Sequence, residues 1–289
     1  MSRLSPFRSP AARAKFLDEY DAVIRTWPVA SEERDVETGH GTTHVVVCGN
    51  ESGPPLVLLH GANTTAAMWA PVIVSLSSTY RCYCIDTITD ANRSVLAKRV
   101  RGAPDLVAWL REVFSVLGID SARVAGLSYG GWVAANLAVN APELVIRLVL
   151  LCPAGTFTPL TAGFMGRLLS SSLLRSRTLA RRSVQWLSTT PNAPSDPVLG
   201  LVATILTTCR PTLSPPTALT DDELRRVVVP TTVVVGDREV IYRGGPEVAI
   251  ARAHKLIPGV RTCIIPGAGH ILTLDAPKAV AAEMVKALA

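Results

Sequence analysis

Ser128 lies in Gly126-Leu127-Ser128-Tyr129-Gly130, with an apolar run before it and an alanine-rich stretch after it. A serine between two glycines at this spacing suits a strand that must turn sharply into a helix. The glycines let the backbone bend and leave the hydroxyl free of neighbouring side chains. The N–H of Tyr129 would then sit at a helix start, where an unpaired donor and the helix dipole favour an oxyanion. By composition alone the pattern arises in about one chain of this length in ten, and an ordinary glycine-rich turn has the same appearance. The chemistry therefore depends on partners elsewhere in the chain.

A serine hydroxyl is a weak nucleophile at neutral pH and needs a base. Of the five histidines, His270 is the candidate, because it follows the glycine-rich stretch Pro266-Gly267-Ala268-Gly269 after the last apolar run. His40, His44, His60 and His254 read as structural. A carboxylate must hold the imidazole in the right tautomer and balance its charge. Gly236-Asp237-Arg238-Glu239 offers two candidates, and both give the order serine, acid, histidine along the chain.

Such groups meet only if the elements before them end along one edge of a sheet. Short apolar or β-branched runs at 43–48, 56–60, 81–86, 122–127, 146–152, 231–236 and 262–265 read as strands. Stretches with helical periodicity separate them at 65–77, 104–117, 129–141, 246–256 and 276–288. This alternation predicts an α/β protein with a mostly parallel sheet and helices on both faces. It breaks once, between Cys152 and Thr231, where roughly 80 residues intervene. A structureless loop of that length is rare in a compact domain, so helices are expected within 162–187 and 197–208, forming a lid. The organisation expected is a helical N-terminal extension at 1–41, with a helix over 11–27 ended by Pro28; a core at 42–153 and 230–289; and a helical lid at 154–229.

With 48% hydrophobic and 18% charged residues, the chain has ample material for a core. The formal charge is +6, much of it from Arg167, Arg175, Arg177, Arg181 and Arg182. These read as a solvated helix face, and no interleaved aromatic-basic pattern points to nucleic acid. No apolar run is long enough for a membrane span, and the N-terminus lacks a secretory h-region, which places the protein in the cytoplasm. The six scattered cysteines read as buried thiols rather than disulfides or a metal centre. Serine chemistry of this kind requires no cofactor.

From about Thr42 to the C-terminus the chain resembles the α/β-hydrolase family. In that family the acid usually follows glycine by three residues, which implies Glu239, with Asp237 as the alternative. The resemblance also implies a second oxyanion donor in Leu59-His60-Gly61-Ala62-Asn63, the N–H of Ala62, with Asn63 orienting the loop or contacting substrate. The stretches 84–94 and 236–242, with the N-terminal helix, are similar to bacterial carboxylesterases that cleave arylpropionate esters. The expected activity is hydrolysis of a small-molecule carboxylic ester through an acyl-enzyme. Thioesterase, lactonase or acyl-cyclase chemistry and a non-hydrolytic binding protein are the alternatives, and the basic, apolar lid could receive an acyl carrier protein. Ser128 in place of aspartate argues against dehalogenase or epoxide-hydrolase chemistry.

Overall fold

The computed structural model describes residues 4–289, so the first three residues of the expected extension lie outside it. Nine strands form one sheet: β1 (Ser31–Thr38), β2 (Gly41–Gly49), β3 (Pro55–Leu59), β4 (Arg81–Ile85), β5 (Val95–Leu96), β6 (Ala122–Leu127), β7 (Val145–Leu151), β8 (Thr231–Gly236) and β9 (Arg261–Ile265). Their order is β1-β2-β4-β3-β6-β7-β8-β9, with β5 paired to β2. From β4 through β9 every neighbouring pair on this path is parallel, whereas β1, β2 and β4 pair antiparallel. The central strands bear side chains buried on both faces, which is why their sequences lack polar alternation.

The helices are α1 (Pro10–Ile24), α2 (Ala70–Ser77), α3 (Ala103–Leu117), α4 (Tyr129–Asn140), α5 (Ala162–Leu174), α6 (Arg177–Leu187), α7 (Pro197–Thr208), α8 (Asp221–Arg225), α9 (Pro246–Leu256), α10 (Leu272–Asp275) and α11 (Pro277–Leu288). On one face α2 packs against α11, and on the other α3 packs against α4. The interval between β7 and β8 holds α5 to α8, so the break in the strand–helix alternation does contain helices of its own. Local side chains start all four, α8 through a capping box of Thr220 and Glu223. Thr161 accepts from the N–H of Phe164, Ser176 from Leu179, and Asp196 from Val198 and Leu199. Against this insertion packs α1, where Thr204 donates to Glu19 at 2.7 Å, so the N-terminal helix braces it.

Two features depart from the sequence expectation. Residues 31–38 form a strand in register from Ser31↔Cys48 to Thr38↔Gly41, although Ser-Glu-Glu-Arg-Asp-Val-Glu-Thr carries five charges. Charge disfavours strands only where the face is buried, and here Val36 alone is buried. Cys263 is half-buried, while the other five cysteines are buried; all six are free thiols. The five arginines of the 167–182 stretch are exposed, as expected. No helix among the described residues is long and apolar enough to cross a membrane.

Candidate active site

Ser128 joins β6 to α4 with φ 53° and ψ −114°, a backbone conformation that L-residues rarely adopt. The glycines around it are required by close approach. A Cβ on Gly126 would fall 2.2 Å from the carbonyl oxygen of Gly130, and one on Gly130 would fall 2.1 Å from that of Leu59. The turn thus presses against the end of β3, and the Ser128 side chain packs beside Gly61.

The loop after β9 brings His270 to the same edge. Its Nε2 lies 2.8 Å from Ser128 Oγ, and its Nδ1 lies 2.7 Å from Glu239 Oε2. Glu239 Oε1 accepts the N–H groups of Val240 at 2.7 Å and Ile241 at 2.9 Å, so both carboxylate oxygens are occupied in a buried setting. Burial alone would raise this carboxyl. The adjacent His270 charge and hydrogen bond, with the Ile241 N–H, outweigh burial and hold it below its ordinary 4.5. An ionised Glu239 keeps the proton on Nδ1 and leaves Nε2 free to accept one from the serine hydroxyl. Asp237, the other acid of this loop, is turned away. Its Oδ1 accepts from the N–H of Gly267 at 2.7 Å, and it forms no hydrogen bond or ion pair with His270.

Gly61, Ala62 and Asn63 line the opposite wall of the site. The N–H groups of Ala62 and Tyr129 have no partner in the chain among the described residues and remain available as donors. Asn63 adopts φ 55°, and its N–H donates to Asp90 Oδ2 at 2.6 Å. Burial pushes the Asp90 carboxyl up to about 6, opposed by His60 and by the N–H groups of Ala91 and Asn63. His60 is fully occupied beneath the loop: its Nε2 accepts from the N–H of Thr87 at 2.9 Å and its Nδ1 faces the carbonyl of Gly61 at 2.8 Å.

Comparison with known proteins follows the same outline. The model of the alpha/beta hydrolase family matches residues 56–283. The chain belongs to the alpha/beta hydrolase family. It is 32% identical over 280 residues to carboxylesterase YbfK of Bacillus subtilis (strain 168), an alignment covering 94% of this chain and 93% of that protein. The crystal structure of naproxen esterase (carboxylesterase NP) from Bacillus subtilis superposes with a TM-score of 0.89 at 32% identity, covering 94% and 96% of the two chains. Carboxylesterase CesB (YbfK) from the same organism superposes with a TM-score of 0.87 at 30% identity, covering 96% and 98%.

Two spaces flank Ser128 in this hydrolase. One, of about 60 Å³, runs between Met68, Leu187, Val202 and Ile271. The other, of about 240 Å³, runs under Met165, Leu169 and Leu213 towards Arg210. Ala62, Asn63, Ser128, Phe164, Leu168 and Leu206 border both, so a substrate carbonyl at Ser128 would send its acyl and alcohol parts in opposite directions. Apart from the residues at the junction, the walls are predominantly apolar, as ligand cavities usually are.

Sequence reasoning missed two neighbours of the site. Cys152, at φ 40° after β7, brings its Sγ within 4.8 Å of a Glu239 carboxylate oxygen and a His270 ring nitrogen, and all three residues are buried. Asp275 accepts from the N–H of Gly269 at 2.8 Å with one oxygen, and with the other from Ser188, from Thr190 Oγ1 at 3.0 Å and from the N–H of Thr189 at 3.1 Å. The N–H of His270 itself donates to the carbonyl of Leu187 at 2.9 Å. The segment that follows α6 and the histidine loop are thereby fastened together. Asp275→Ala is expected to lower kcat about tenfold and Tm by several degrees, since several donors lose their acceptor at once; steady-state kinetics and thermal melting check it.

Proposed function

We propose that this protein is a carboxylic ester hydrolase in which Ser128 is the nucleophile, His270 the general base and Glu239 the orienting acid. The observation that carries this reading is the unbroken hydroxyl–imidazole–carboxylate chain at 2.8 Å and 2.7 Å, set where two apolar spaces meet. The relatives named carboxylesterase, matched over nearly the whole chain, support it.

His270 Nε2 takes the Ser128 proton as Oγ attacks the ester carbonyl. The resulting oxyanion rests on the N–H groups of Ala62 and Tyr129, each such donor being worth about 2.7–4 kcal/mol in the transition state. His270 passes the proton to the departing alcohol, and water then cleaves the acyl-enzyme by the same route in reverse. Asn63 contributes to this through its backbone, fixed by Asp90, with its side chain beside the substrate. The lid, residues 154–229, closes the apolar spaces over a core of 42–153 and 230–289. The substrate is a small-molecule ester, and the enzyme acts in the cytoplasm without a cofactor.

A series of p-nitrophenyl esters of increasing acyl size tests the reading. Branched and aryl-substituted acyl groups are expected to exceed acetate in kcat/KM, because the larger apolar space, of about 240 Å³, is poorly filled by two carbons. Absence of turnover on every ester, or faster turnover of the matching thioesters, would redirect the assignment. Delivery of the acyl group by an acyl carrier protein is the finer alternative, tested by whether a carrier-bound ester competes with the free one.

A further inference from the structure

The hairpin of α5 and α6 has an outer surface that the ester chemistry does not use. Residues 160–190 contain five arginines and no aspartate, glutamate or lysine. Arg167, Arg175, Arg177, Arg181 and Arg182 are all exposed, and none is paired with a carboxylate among the described residues. Arg167 lies over the ring of Trp186, 4.6 Å from its centroid, which ties α5 to α6. Inside the hairpin Ser171 and Ser183 hydrogen-bond at 3.1 Å.

The inner face of α5 is already apolar, with Phe164 buried and Leu168 half-buried, yet its outer face is apolar as well. Met165, Leu169, Leu173 and Leu174 are exposed, the last two at 70% and 68%, more than any other large hydrophobic side chain among the described residues. Met165, Leu169 and Leu173 fall four residues apart and form one stripe. Leu173 and Leu174 stand at the hairpin tip, directly before Arg175 and Arg177. The stripe is continuous with the substrate route, because Met165, Leu168, Leu169 and Ser172 line the larger space that reaches Ser128.

We propose that the α5–α6 hairpin is a docking face for an anionic lipid surface, on which Leu173 and Leu174 enter the acyl boundary while the arginines engage lipid phosphates. Charge complementarity and the protruding aliphatic tip identify this occupant. An isolated positive patch would suit many acidic proteins, but side chains most exposed at a projecting tip, flanked by cations, match a surface that yields to insertion. The inference rests on the ester-hydrolase reading only for its consequence: esters dissolved in lipid would reach Ser128 through the space that opens beneath the stripe.

The test is flotation of the full-length protein with vesicles of phosphatidylcholine containing 30% phosphatidylglycerol, beside vesicles of phosphatidylcholine alone. Binding to the anionic vesicles at low salt, weakening as salt is raised, is expected. Arg177→Gln/Arg181→Gln/Arg182→Gln should lower partitioning about a hundredfold, and Leu173→Ser/Leu174→Ser should lower it as well. Both variants should keep the wild-type rate on p-nitrophenyl butyrate in solution, which shows that they fold. No flotation of the wild type, equal binding to both vesicle types, or equal binding by folded variants overturns the proposal. So does capture of an acidic acyl carrier protein through the same arginines without vesicle binding. Vesicle binding by a protein without esterase activity would instead leave the docking face standing and remove the catalytic reading.

Discussion

Replacing Ser128 with alanine is expected to abolish the burst of p-nitrophenol that accompanies acyl-enzyme formation and to lower kcat by about 10⁴–10⁶-fold. The expectation follows from the proposed division of labour. Without the hydroxyl no covalent intermediate forms, and the Ala62 and Tyr129 donors are left to stabilise only the direct attack of water. Labelling by a fluorophosphonate probe should vanish in the same variant. Stability should change little, because alanine keeps a Cβ in the unfavourable backbone conformation of position 128. Glycine there should give the same loss of activity and a stability gain of about 1 kcal/mol, as the strain at φ 53° is relieved. A Ser128→Ala protein that hydrolyses esters at the wild-type rate would eliminate the mechanism.

Glu239→Gln is expected to lower kcat about 10⁴-fold, while Asp237→Asn should stay within about twofold of wild type, as surface changes away from special features do. An amide at 239 can satisfy the N–H groups of Val240 and Ile241 with its oxygen only by turning its own donor towards His270 Nδ1, which then favours the wrong tautomer. Asp237 has no such role available, since its carboxylate holds the Gly267 N–H at the surface. The pH dependence of stability gives a second readout. Because the folded protein holds the Glu239 carboxyl below 4.5, the unfolded chain binds more protons as pH falls through that region. The stabilisation is therefore present above pH 4.5 and drains away towards the lower folded value. Wild-type Tm should fall more steeply than that of Glu239→Gln below pH 4.5, and parallel melting curves would contradict the assignment.

How much of this was readable from the chain depended on distance along it. Ser128 and its turn are local: two glycines, an apolar strand and a helix start lie within a few residues, and the backbone conformation follows from them. His270 was readable because few histidines follow a terminal strand. The choice between Glu239 and Asp237 was not readable from the residues themselves, since both follow β8 and only the path of the loop decides which carboxylate turns inward. Asp275 was invisible for a different reason. Its partners Ser188, Thr189 and Thr190 lie far away in sequence on the insertion, and a lone aspartate two residues before a proline carries no pattern. Helices in the insertion were expected from its length alone, since a structureless run of that size is rare, but not the break that divides 162–187 into α5 and α6 or the arrangement that leaves α5 apolar on both sides.

The strand β1 has a further consequence for the life of the protein at high concentration. It lies at the end of a nine-stranded sheet, where unpaired backbone groups invite another chain to add on. Its exposed residues include Glu32, Glu33 and Arg34, with Glu32 held between Arg34 and Arg81 at 2.5 Å from each. An incoming strand would have to dehydrate these ions for no apolar gain. Fibrillar growth is thus discouraged at this margin, whereas the opposite margin, β9, leaves Ile264 exposed and is guarded by one exposed charge, Arg261.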